Sequence, residues 1–127
     1  MVGACVSART TARDQRGATT AEAVMLMPVL AVLCLGLVWL LALAATQMRV
    51  VDSAREVARA AARNEPTQQA VALGRRVAPD GARISIRSHT STITARVDAE
   101  VRGPAGLFAF LPAVHLSATA VSARESP

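Results

Sequence analysis

The stretch "AVMLMPVLAVLCLGLVWLLALAATQMRVVDSAREVARAAARN", Ala23 to Asn64, decides the fold, because it joins two kinds of helix without a break. Its first part, Ala23 to Ala45, runs 23 residues with no charge. At 1.5 Å per residue that is roughly 34 Å of helix, enough to cross a bilayer core. Its second part changes character. On a helical wheel, Val50, Ala54, Val57, Ala58 and Ala61 gather on one side. Arg49, Asp52, Arg55, Glu56, Arg59 and Arg63 take the other, so this half is amphipathic and needs a surface to lie against. Asp52 precedes Arg55 by three positions and Glu56 precedes Arg59 by three, spacings that set opposite charges side by side. From Ala45 to Arg63 there is no glycine or proline. The spacing therefore predicts one continuous helix, about 60 Å long from Ala23 to Asn64.

Ahead of it lies "MVGACVSARTTARDQRG", Met1 to Gly17, polar and irregular in pattern, with Arg9, Arg13 and Arg16 against Asp14. It reads as a cytoplasmic leader. Arginine counting alone leaves the topology undecided, since Arg49, Arg55, Arg59 and Arg63 follow the apolar run closely on its other side.

Downstream, Asn64 and Pro66 stop the helix and restart the chain. A short second helix is expected over Thr67 to Val77, with Ala70, Leu73 and Val77 on one face; Gly74 argues against it. Pro79-Asp80-Gly81 is a turn: proline fixes φ and glycine admits positive φ. Three strands follow. In "ARISIRS" Ile84 and Ile86 alternate with Arg83, Ser85 and Arg87. In "TITARVDAEVR", Thr92 to Arg102, the apolar row is Ile93, Ala95, Val97, Ala99 and Val101. In "VHLSATAV" it is Val114, Leu116, Ala118 and Ala120. Alternation with one apolar face predicts an antiparallel sheet covered on one side. His89 to Ser91 is a hairpin loop, and Gly103 to Pro112 is a longer connection carrying Leu107, Phe108, Phe110 and Leu111. The sheet needs a cover and the amphipathic helix half needs a bed. The expected fold is α+β: a long N-terminal helix packed on a small antiparallel sheet, its membrane half protruding. The expected organisation is leader 1–17, helix 18–64 with its transmembrane part at 23–45, and an extracytoplasmic tail of three strands and a short helix at 65–127.

Composition narrows the function classes. The net charge is +5, carried by 14 arginines and no lysine, with a pI near 11.2. Basic chains suggest nucleic acid, but no basic block here is interleaved with aromatics for base stacking, so no nucleic-acid partner is expected. Cys5 falls in the leader and Cys34 in the apolar run, positions that exclude a disulfide within one domain. His89 and His115 sit in a loop and on the polar side of a strand. Metal-ligand spacing, a nucleophile elbow and a phosphate-cradling loop are all missing, and Asp98 and Glu100 share a solvent-facing row. The sequence points away from catalysis, cofactors and metals.

One short motif carries a specific suggestion. In "RGATTAEAVMLMPVL", Arg16 to Leu30, the carboxylate of Glu22 stands at the lip of the apolar run, five positions after Gly17. Thr19 to Glu22 matches the S/T-x-x-E capping box, and an acid in a first helical turn suits the helix dipole. A buried charge in hydrocarbon also demands a partner, which capping alone does not supply.

The junction resembles the processing site of type IV prepilins. More specifically, the chain is similar to TadE-like proteins, minor pilins or pseudopilins of tight-adherence (Flp) systems. The resemblance rests on the arginine-bearing leader, "RGATTAEAVMLMPVL", "VDSAREVARAAARN" and a small β-rich end near "VHLSATAVSA". It implies that a prepilin peptidase cuts between Gly17 and Ala18 on the cytoplasmic side, making Glu22 the fifth residue of the product. It implies a role for Glu22 in assembly, with other pilin subunits, an assembly platform and its ATPase as partners. The resemblance places the chain in the cytoplasmic membrane, N-terminus inside, and makes it no enzyme but a substrate of one. Ala23 departs from the tyrosine typical of major Flp pilins at that position, which together with the size of the tail favours a minor component. Arg55, Arg59, Phe108 and Phe110 are candidate subunit contacts, with a plain solvated face and a closed core end as the alternatives for the two pairs. Two other fates stay open: an uncut single-pass anchor presenting a small binding domain, and a secreted product cut near Ala42 to Thr46.

Overall fold

The computed structural model describes residues 11–103 and 112–124, with side chains from Thr20 onward. The element order is helix α1 (Thr11–Ala62), helix α2 (Thr67–Val77), and strands β1 (Arg83–Ser88), β2 (Thr92–Val101) and β3 (Val114–Ala123). The chain divides into two compact units, Met1–Val38 and Trp39–Pro127.

Helix α1 begins earlier than its sequence pattern suggests. Thr11 to Gly17, expected as irregular leader, is helical. Alanine, arginine and glutamine are good helix formers, and the single Gly17 costs only about 1 kcal/mol against alanine. This start corrects the capping-box reading. With the helix already running from Thr11, Thr19 is an interior residue and not an N-cap in the uncut chain.

In the first unit the described side chains of α1 are nearly all exposed, Met25 reaching 78%. The segment Thr20–Ala62 of α1 contains a stretch long and apolar enough to cross a membrane, the one such helix among the described residues. A hydrophobic surface of this extent that no protein covers is what a lipid-facing helix presents.

The second unit is a helix-on-sheet layer. Its strands are antiparallel in the order β1-β2-β3. β1 pairs with β2 from Arg83↔Asp98 to Ser88↔Ile93, and β2 pairs with β3 from Thr92↔Ala123 to Val101↔Val114. The apolar row of the central strand is the best buried: Ile93, Ala95, Val97 and Ala99 face inward. The stripe of α1 meets them. Val50 and Ala54 pack with Val97 and Ala99, Val57 and Ala58 with Ala95, and Ala60 and Ala61 with Ile93 and with Ala70 of α2. Helix α1 thus runs opposite in direction to β2. The corresponding row of β3 is only half-buried, because α1 lies over the centre of the sheet and β3 is its edge.

The ends of the elements follow local chemistry. Asn64 takes a positive φ of 60°, Glu65 N–H donates to the Ala60 carbonyl and Asn64 N–H to that of Ala61, the doubled closure of a Schellman motif. Pro66 then keeps α1 from continuing and stands at the N-cap of α2, its carbonyl accepting the Ala70 N–H. Gly81, at φ 75°, closes the turn from Pro79, whose carbonyl accepts the Ala82 N–H.

Candidate functional site

The residues singled out by the sequence fall in three places. Gly17, Ala18 and Glu22 lie in the first unit, on α1. Arg55 and Arg59 lie on the same helix in the second unit. Phe108 and Phe110 lie outside the described residues.

Around the junction, the helix fixes the geometry through its periodicity. Ala18 and Glu22 are four residues apart, so they share one face, one turn apart. Glu22 is exposed and is followed by a run of exposed apolar side chains: Val24, Met25, Leu26, Met27, Val29 and Leu30. A carboxylate therefore stands where the surface changes from polar to oily. Pro28 lies inside the helix and has no N–H to give the Val24 carbonyl.

The arginine row divides. Arg59 Nη2 lies 2.8 Å from Glu56 Oε2, the three-residue pair expected from the sequence. Asp52 and Arg55, expected to pair in the same way, form no ion pair, and Arg55 has no hydrogen-bond partner among the described residues. Arg63 turns instead to Glu65, at 3.0 Å. Arg55 and Arg59 line an open groove of about 450 Å³, whose other wall includes Ala120, Val121 and Ser122 of β3. This groove was not legible in the sequence, since the helix and the strand that form it are far apart along the chain.

Two residues missed by sequence reading organise the same unit. Ser53 is fully buried and its hydroxyl donates to the carbonyl of Gly74 at 2.9 Å. Gln47 reaches from α1 to the edge of β3, its Nε2 donating to the Ser117 carbonyl at 3.4 Å. A serine between Asp52 and Ala54 and a glutamine just past the apolar run carry no pattern that would have marked them.

Among the described residues no group of three or more His, Cys, Asp or Glu is gathered to hold a metal ion. The outer face of the sheet bears ion pairs such as Arg96 to Asp98 at 3.1 Å, a solvated surface without an enclosed acid or base.

A family model described as TadE, TadE-like protein, matches residues 17–59. The matched stretch opens at Gly17, contains Glu22 and the exposed apolar run, and closes at Arg59. It covers about a third of the chain, leaving α2 and the sheet outside it. No curated protein and no solved structure matches the chain.

Proposed function

We propose that the chain is a structural subunit of a tight-adherence pilus or secretion filament: a minor pilin or pseudopilin, cut after Gly17 by a prepilin peptidase. The observation that carries this reading is the TadE-like match, which begins at the residue where the cut is expected. An exposed apolar helix behind that residue supports it, because such a subunit keeps its membrane segment after processing.

The chemistry of the junction gives cleavage a purpose. Cutting between Gly17 and Ala18 creates an ammonium at Ala18, one turn ahead of Glu22. The carboxylate then gains a counter-charge at the membrane boundary, where an unpaired ion is costly. The pair can close within one subunit. It can equally join the ammonium of one subunit to the Glu22 of its neighbour, which rewards one axial register of packed helices. The cut also makes Thr19 a near-terminal residue, so that the capping box excluded in the uncut chain becomes available.

In this role the subunit sits in the cytoplasmic membrane with the leader inside and the sheet domain outside. It is inserted or docked at a filament's base or tip by a platform and its ATPase, and it performs no chemistry of its own. The test is the mass and first residue of the chain from cells with and without the peptidase. A product starting at Ala18, found only with the peptidase, is expected. A chain retaining Met1 to Gly17 in both overturns the reading.

A further inference from the structure

We infer that the second unit stands end-on against the bilayer that α1 crosses, with the end of the sheet formed by Val101, Arg102 and Val114 set in the phospholipid headgroup layer. The inference rests on the membrane crossing and holds whether or not Gly17 is cut.

Trp39 to Ala45, the last residues of the uncharged run, belong to the same unit as the sheet, so heights along α1 compare directly. Ala99 packs with Val50 and Ala54. From Ala99 to Val101, where β2 ends, a strand advances about 7 Å. Helix α1 covers that rise in about four to five residues. The two elements run in opposite directions, so the step leads from Val50 back to Ala45 or Thr46. The bond from Gln47 to the Ser117 carbonyl agrees, because Val114, which pairs with Val101, precedes Ser117 on the side toward the run. The sheet therefore ends level with the end of the uncharged run, with no spacer between them.

Lengths then set the depth. The uncharged run makes about 34 Å of helix, against a hydrocarbon core of about 30 Å. Polar layers bring a bilayer to about 40–45 Å, so each is about 5–7 Å deep. With the run filling the core, the residues of α1 just past Ala45, and whatever is level with them, lie among headgroups. Leu40 and Leu41 are 54% and 72% exposed, so the surface that lipid covers reaches up to the edge of the sheet. The sheet end continues that surface, since Val101 and Val114 are each only half-buried.

The two ends of the sheet differ as this placement requires. β2 and β3 are joined at the end near Ala45, and the joining sequence, Gly103 to Pro112, contains both phenylalanines of the chain and no charged residue. The opposite end carries Arg87, His89, Ser91 and Arg124, all exposed. Charges do stand around the end near Ala45, but they are of both signs: Arg49, Arg83 and Arg102 with Asp80 and Glu100, all exposed. A phosphatidylethanolamine headgroup offers both a phosphate and an ammonium, so such a girdle meets partners of both signs there. Arg102 is the best placed of them. Its side chain is 84% exposed and its pair with Glu100 is long, at 3.6 Å. Its apolar stem can lie along lipid while the guanidinium stays in the polar layer.

The test uses the full chain in lipid nanodiscs of phosphatidylethanolamine and phosphatidylglycerol, whose two faces are both open to water. In a background of Cys5→Ser and Cys34→Ala, one fluorophore is attached through Leu30→Cys, Arg102→Cys or Ser91→Cys. Arg102 and Ser91 are exposed, so neither label disturbs the core. Two quenchers read depth: a nitroxide carried on the lipid headgroup, and iodide in water. The fluorophore at position 102 is expected to lose intensity to the headgroup nitroxide and to resist iodide. The one at position 91 is expected to behave in the opposite way. A position-102 fluorophore as open to iodide as that at position 91, and out of reach of the nitroxide, overturns the proposal. So does equal headgroup quenching at both, which lays the sheet flat on the membrane. Iodide reaching the fluorophore at position 30 overturns it together with the crossing on which it rests. Cleavage after Gly17, read from the mass of the chain in cells, bears on the pilin reading alone.

Discussion

Ser53 of α1 and Gly74 of α2 join the two helices at a point where nothing larger fits. The Ser53 hydroxyl donates to the Gly74 carbonyl at 2.9 Å, and the same carbonyl accepts the Ala78 N–H at 2.9 Å. A β-carbon built at Gly74 runs into Cγ2 of Val57, a side chain with no exposure. The glycine that weakens α2 as an isolated helix is what lets α2 reach α1.

Gly74→Ala is therefore expected to destabilise the sheet unit despite raising helix propensity. Overpacking a well-filled contact costs about 1–3 kcal/mol. The gain from replacing a helical glycine is about 1 kcal/mol at most. The buried Val57 has no room to swing aside, so the loss wins. Amide exchange in α2 and β1 should quicken in the full chain, and Val57→Ala in the same background should restore part of the protection. A Gly74→Ala chain with slower exchange than the parent refutes the close contact.

Ser53→Ala probes the bond without the crowding. The Gly74 carbonyl keeps its Ala78 donor, so no acceptor is orphaned, and the loss should stay near the net worth of one hydrogen bond, about 0.5–1.5 kcal/mol. Ser53→Val should cost more, since it adds volume and leaves no donor. Thermal melts of the three chains in the same detergent check the ranking.

Much of the architecture can be read from periodicity because one element's stripe answers another's. The row Val50, Ala54, Val57, Ala58 and Ala61 is buried as its helical spacing requires, and the row Ile93, Ala95, Val97, Ala99 is buried as its alternation requires. Periodicity reports which face is apolar, not how close two backbones come. That is why Gly74 looked like a defect and Ser53 like an ordinary polar residue. The half-burial of Leu116 and Ala118 in β3 is equally hidden, for an edge strand and a central strand share the same alternation. Charge spacing is weaker still. Glu56 and Arg59 pair while Asp52 and Arg55 at the same separation do not, as expected where an exposed pair gains only about 0.3–0.5 kcal/mol on a helix.

The buried row of the central strand should be the most sensitive place to truncate a side chain. Ile93 is 2% exposed and packs against Ala60, Ala61 and Ala70, with Leu73 and Ile86 beside it. Its neighbours are mostly alanines on helices held by other contacts, so they cannot close the space that Ile93→Ala opens. A loss of about 2–5 kcal/mol is expected. Val121→Ala, on the exposed face of β3, should change stability by less than about 0.5 kcal/mol. Comparable losses at both positions, in parallel denaturant titrations of the full chain, would contradict the layered core.

The membrane junction yields the sharpest functional prediction, because two steps there depend on different atoms. On the proposed reading, cleavage needs the Gly17–Ala18 bond and a small residue before it, and pairing needs the charge of Glu22. Glu22→Gln keeps the shape and helix propensity but removes the charge that the new ammonium would meet. It should be processed at the parental rate and then accumulate in the membrane, unassembled. Gly17→Leu should stop at the earlier step and keep the leader. Glu22→Asp retains the charge on a shorter stem and should recover part of the assembly that Glu22→Gln loses. Intact mass separates the first step from the second, and co-fractionation with sheared filaments or with the membrane assembly complex reads the second. Normal incorporation of processed Glu22→Gln means that the carboxylate serves only the helix start.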